Sequence, residues 1–123
     1  MKSFRDLDIY TESKSLAIEV HKMSLDLPKL ELYEEGSQVS RSSKSITSNI
    51  VEGYGRRRWK ADYIKHLTYA QSECDETIQH LDFLFETGSW KDELSYLKLK
   101  TQYDTLSKRI NKFTQWVEEN LNQ

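Results

Sequence analysis

Five polar residues, Gln38, Arg41, Ser45, Asn49 and Glu52, recur at spacings of three, four, four and three. On a helix that spacing brings their side chains to one face, where they form a row of hydrogen-bond donors and acceptors. Such a row can face a ligand or an RNA. It can also pair with a neighbouring helix or subunit, where each polar group left buried and unpaired would cost about 1–3 kcal/mol. The second use is the expectation.

A basic cluster follows at once: Arg56, Arg57, Arg58 and Lys60, with Arg41, Lys44 and Lys65 nearby and the aromatics Tyr54 and Trp59 interleaved. Cations and rings in that mixture can neutralise phosphates and stack on bases, which makes Arg41, Lys44, Arg56, Arg57, Arg58 and Lys60 the candidate nucleic-acid contacts. The plainer reading is a solvated helix start. Residues 37–60 carry six basic groups and one acidic, against five and eight in 1–36 and seven and eleven in 61–123, so this is the only basic block in a chain of net charge −2. With a pI near 5.9, the field of the whole chain does not draw nucleic acid in.

Other chemistry is hard to build. His66, Glu73 and His80 are seven apart and share a face, but the Glu-x-x-His pairs of di-iron bundles are missing and two turns separate each from the next. Neither a phosphate-cradling glycine loop nor a nucleophile elbow is present. Cys74 sits among apolar positions and reads as a small buried side chain. No catalytic, cofactor-binding or metal-ligating residue is expected, and the chain is not expected to be an enzyme.

These residues need a scaffold. A length of 123 residues suits one domain, 1–123, and four Gly, one Pro and 31% charged residues favour an all-helical chain. The apolar runs are too short to cross a membrane, and MKSFRDLDIY has charges where a signal peptide needs its apolar stretch. With one cysteine and hence no internal disulfide, a cytoplasmic location with no membrane partner is expected.

Periodicity predicts helices over about 7–27, 37–53, 60–87 and 90–120. Pro28 ends the first, and LPKLELYEEGS reads as a connection with Ser37 as the next N-cap. Val39, Ile46 and Ile50, with Ser42, Ser43 and Gly53, give the second helix a thin buried side that lets a neighbour come close. The third carries Tyr63, Leu67, Ala70, Cys74, Ile78, Leu81 and Phe85 as its stripe, with Gly88 as the C′ residue. The fourth starts at Trp90 behind a cap at Ser89 and shows an unbroken seam from Tyr96 to Val117. Two sets fall off these core faces: Leu7, Ile18 and Leu25 on the first helix, and Tyr69, Glu76 and Phe83 on the third. They are either scattered surface residues or contact surfaces, and the register favours contact. Trp90, Leu94 and Leu97 also point away from the seam. The expected architecture is an antiparallel up-and-down four-helix bundle.

FRDLDIY, LPKLELYEEGSQVSRSSKSITSNIVEGYGRR and YIKHLTYAQSECDET, in that order, resemble the bacterial proteins encoded in intervening sequences of 23S ribosomal RNA genes, the S23 family. The most specific part is SQ-x-x-R-x-x-x-S-I-x-x-N-I-x-E-G, matched by Ser37, Gln38, Arg41, Ser45, Ile46, Asn49, Ile50, Glu52 and Gly53, and Glu76 matches a recurrent acidic position. Thr47, Glu35 and Ser72-Glu73 depart from the family pattern, which often has Pro, an apolar residue and Gly-Ser there. The resemblance implies a bundle assembling as a ring, with a pentamer favoured. It also points to the accessory proteins of diversity-generating retroelements, basic pentameric barrels that bind nucleic acid and a reverse transcriptase. The expected function is therefore a non-enzymatic homo-oligomeric bundle serving as an accessory nucleic-acid or ribonucleoprotein-binding protein. Its alternative is a protein-interaction scaffold with no nucleic-acid role. The expected partners are other copies of the chain, RNA or DNA, and a protein. The candidate interface and polar network are Gln38, Arg41, Ser45, Asn49, Glu52, Tyr69, Glu76, Phe83, Leu7, Ile18 and Leu25.

Overall fold

The computed structural model describes residues 3–122. Four long helices carry the fold: α1 (Asp8–Leu25), α2 (Ser37–Gly55), α3 (Lys60–Glu86) and α4 (Glu93–Asn120). Each packs on the next, and there are no strands among the described residues. Cross-helix pairs such as Ser13–Thr47, Ser42–Thr77 and Asn49–His66 set the start of one helix against the end of its neighbour, so successive helices run antiparallel. Of the neighbouring pairs, α1 and α4 touch least, and the backbones of helices across the diagonal do not meet.

The chain enters through a short 3-10 turn, Phe4–Asp6, closed by reciprocal bonds between Ser3 and Asp6. This turn corrects the reading of Leu7. Leu7 adopts an extended backbone (φ −79°, ψ 128°) as the N-cap of α1, so a helical wheel does not apply to it, and its side chain is a core residue only 3% exposed. Ile18 and Leu25, inside the helix, do stay outside the core.

The connection after Pro28 is not a loop. A helical turn at Lys29–Glu31 and a π-helical turn at Leu32–Gly36 run straight into α2. Ser37 is therefore already helical, and its hydroxyl donates back to the carbonyls of Tyr33 and Glu34 rather than capping. Gly36 has ordinary helical angles, and closeness explains it: a Cβ there would lie 3.1 Å from the Glu31 carbonyl oxygen and 3.2 Å from Leu27 Cδ1.

α2 meets α3 tightly because its inner side is Ser42, Ser43 and Gly53 around Ile46 and Ile50. Ser42 Oγ lies 2.8 Å from Thr77 Oγ1, a buried polar pair that satisfies both hydroxyls. On α3 the fully buried line passes through Thr77 and Leu84, leaving Ile78 and Phe85 half-buried at its edge. A 3.6-residue repeat drifts across a long helix against a strict heptad. Gly88 takes φ +83°, the left-handed geometry expected of a C′ glycine.

α4 begins later than its predicted start at Trp90. Asp92 is the N-cap, accepting from the Ser95 amide at 3.1 Å, while the Ser89 hydroxyl is taken by the Glu31 carboxylate. Trp90 is free to cover the end of the core, edge-on to Tyr96 with ring centroids 6.0 Å apart. Tyr103 and Leu106 of α4, with Leu67 and Leu81 of α3 and Val20 of α1, are fully buried in the bundle centre.

Candidate functional site

α2 carries the polar row along the edge that meets α3, and Asn49 is its hub. Asn49 Nδ2 donates to the Ser45 carbonyl at 3.0 Å and to Ser45 Oγ at 3.3 Å, while Oδ1 stands 3.1 Å from His66 Nδ1 of α3. With Oδ1 accepting, Nδ1 is the ring nitrogen assigned the proton. Ser45 also lies beside the Glu73 carboxyl. Burial first, then the neighbouring Glu76 carboxyl, push Glu73 above the usual carboxylate range, and Ser45 and the Arg41 charge pull against them. Gln38, Arg41 and Glu52 are exposed and pair along their own helix: Arg41 Nη2 donates to Gln38 Oε1 at 3.0 Å, and Arg56 Nε to Glu52 Oε1 at 2.8 Å. The row thus divides into a half-buried centre that ties α2 to α3 and two exposed ends.

His66, Glu73 and His80 go to separate contacts. His80 Nδ1 is 2.7 Å from Glu35 Oε2, and its Nε2 is buried 3.8 Å from Glu76 Oε1. Among the described residues no three His, Cys, Asp or Glu side chains gather closely enough to hold a metal ion. Burial pushes the Cys74 thiol up to about 12, so it stays protonated and unreactive near neutral pH.

The basic cluster sits at the corner between α2 and α3, and much of it is occupied. Arg56 reaches Glu52 and also lies 3.6 Å from Asp62. Arg57 Nη1 donates to the Tyr54 carbonyl at the end of α2, with the guanidinium 4.0 Å above the Tyr54 ring. Lys60 Nζ donates to the Glu118 carbonyl near the end of α4, and Lys44 Nζ lies 3.1 Å from His21 Nδ1. Arg58 and Trp59 face outward, the guanidinium 5.4 Å from the indole and Trp59 57% exposed.

The off-core apolar residues border α2 on both flanks. Ile18 and Leu25 line a groove between α1 and α2, continued by Tyr33 from the π-helical turn. Tyr69 and Phe83 are half exposed on α3, Tyr69 with its ring edge-on to His66. The α2 surface in the groove is low, being mainly Ser37, Ser40, Ser48 and Val51 around Lys44 and Arg41.

Two contacts escaped the sequence reading. Glu35 reaches His80 only because the π-helical turn aims it there. Thr47 donates to Ser13 Oγ at 3.0 Å, tying α2 to α1. Both were legible only as departures from the family pattern.

A crystal structure of a protein of unknown function from the S23 ribosomal protein family of Bacteroides thetaiotaomicron shares this fold, with a TM-score of 0.76 and 23% sequence identity over 87% of this chain and 95% of that one. No curated protein matches the chain. None of the described helices is long and apolar enough to cross a membrane. The family model described as 23S rRNA-intervening sequence protein matches residues 5–112, which include the whole α2 row and its α3 partners, and the chain belongs to that family.

Proposed function

We propose that this protein performs no chemistry of its own and works in the cytoplasm as a self-assembling helical module, a ring of identical copies for which the family resemblance suggests five. The observation that carries this reading is the placement of exposed apolar side chains, Ile18 and Leu25 on one flank of α2, Tyr69 and Phe83 on the other, beside a hydrogen-bonded polar edge. Contiguous exposed apolar surface rimmed by polar groups marks an association site. Light scattering at micromolar concentration tests it: a mass several times 14.6 kDa is expected, and a monomer overturns the reading.

A second reading, an accessory role on RNA or DNA, is favoured by the outward pair Arg58 and Trp59, a cation beside an exposed ring. In a ring this pair would repeat around one rim. Titration with structured RNA over a range of salt concentrations should show affinity falling as salt rises. Salt-independent binding, or none, removes this reading and leaves the first intact.

A further inference from the structure

The two flanks of α2 differ in charge as well as in shape. The groove between α1 and α2 is lined by Lys14, Lys22, Arg41 and Lys44, and its one carboxylate, Glu52, is held by Arg56. The outer side of α3 is the reverse. Residues 66–87 contain five acidic side chains and neither Lys nor Arg. Of these, Asp75, Glu76 and Glu86 are exposed on the same helix as Tyr69 and Phe83. A basic groove with an apolar lining and an acidic ridge with aromatic projections are complementary. On one molecule they lie on opposite sides of α2, so they cannot satisfy each other within the chain.

We propose that the α3 ridge of one copy seats in the α1–α2 groove of the next, Tyr69 and Phe83 against Ile18 and Leu25, with Asp75 and Glu76 facing Lys22 and Lys44. This rests on the self-assembly reading and specifies how it is built. The contact joins two different patches, so it is heterologous and propagates head to tail until rotation closes it. The low serine surface of α2 gives an incoming helix room. Opposite charge fixes which patch meets which, because pairing ridge with ridge or groove with groove sets like charges together.

The test uses two charge-reversed full-length variants, each checked for retained helicity by circular dichroism. Lys22→Glu/Lys44→Glu makes both patches acidic, and Asp75→Lys/Glu76→Lys makes both basic. Each alone should shift to monomer mass, and mixing them should restore association that weakens with added salt, since each then offers the partner its missing sign. An assembled wild type whose two variants keep the wild-type mass, or fail to associate on mixing, overturns this docking while leaving self-assembly standing. A second arm mixes Ile18→Cys with Phe83→Cys protein under oxidation. The native Cys74 is buried and silent. A covalent dimer between the two variants is expected, whereas dimers of Phe83→Cys with itself would indicate a symmetric contact and overturn the proposal. A monomeric wild type removes both this inference and the reading beneath it.

Discussion

Asn49 and His66 join α2 to α3 through one hydrogen bond, Oδ1 to Nδ1 at 3.1 Å, while the same carboxamide turns its Nδ2 back onto Ser45. The side chain is used at both ends, and the two helices are locked in one register at that point. Gln38, three helical turns away on the same row, is exposed and bonds only Arg41.

Asn49→Ala should therefore lower the free energy of unfolding by about 1–2 kcal/mol, because it strips a half-buried imidazole of its acceptor. Gln38→Ala should stay within about 0.5 kcal/mol. Urea unfolding of the two variants side by side checks this, and equal midpoints would show that the row has no structural role.

Gly53 and Gly55 stand two residues apart near the end of α2 and predict opposite signs. A Cβ at Gly53 would lie 3.1 Å from His66 Cβ and 3.2 Å from Tyr63 Cδ1, in the closest part of the α2–α3 contact, whereas at Gly55 nothing lies within 4 Å. Gly53→Ala is expected to cost about 1–3 kcal/mol by overpacking. Gly55→Ala is expected to gain up to about 1 kcal/mol by restricting the unfolded chain at a helical position.

How far the residues disclosed this arrangement depends on what each signal measures. Helix existence and the inner faces follow from apolar periodicity, so Ile46, Leu67 and Tyr103 were readable. The thin side of α2 was readable because serine and glycine there can only mean close approach. The 29–36 segment was not, since Pro28 and Gly36 are ordinary loop punctuation and a π-helical turn has no simple pattern. Leu7 failed for a related reason: a wheel projects every residue as if the helix extended through it, and Leu7 is the extended residue just outside. The arginine run was legible as charge but only partly as occupancy: Glu52 stands four residues before Arg56, a local pairing, whereas whether the Glu118 carbonyl reaches Lys60 or Asp62 reaches back to Arg56 depends on how the helices meet.

Glu73 offers a test of the seam by pH. Burial and Glu76 raise its folded-state carboxyl above the ordinary value of 4.5, so the folded state holds its proton where the unfolded state has released it. The stability this group contributes is thus present at acid pH and is lost as pH rises from about 4.5 through the folded value. Glu73→Gln keeps an acceptor beside Ser45 and carries no charge. It should be neutral or stabilising near neutral pH, and it should remove that part of the pH dependence measured by denaturant titration.

At the alkaline end the sign is the same with different groups. Burial, more than the nearby Tyr54, pushes Tyr63 from 10.0 to about 12, and burial, more than Asp75 and Glu73, pushes Cys74 from 9.0 to about 12. Burial also moves Tyr103 well up. Each folded pKa is raised, so the unfolded chain loses these protons first and stability should fall as pH climbs from about 9 toward 12. Cys74→Ala should delay the onset of that fall toward about 10 without abolishing it.

The arginine run separates stability from binding one residue at a time. Arg57 closes α2 on the Tyr54 carbonyl and stacks on its ring, so Arg57→Ala should cost about 1 kcal/mol. Arg56→Ala removes only solvent-exposed pairs with Glu52 and Asp62 and should lower the unfolding midpoint less than Arg57→Ala does. Arg58 makes no ion pair among the described residues and points out beside Trp59, so Arg58→Ala should leave the unfolding midpoint in place. If nucleic acid uses this corner, the same Arg58→Ala change should reduce the slope of log affinity against log salt by about 1, the share of one phosphate contact, and Trp59→Ala should weaken binding at every salt concentration with the slope unchanged. A protein that binds RNA with the wild-type slope after both changes is using another surface.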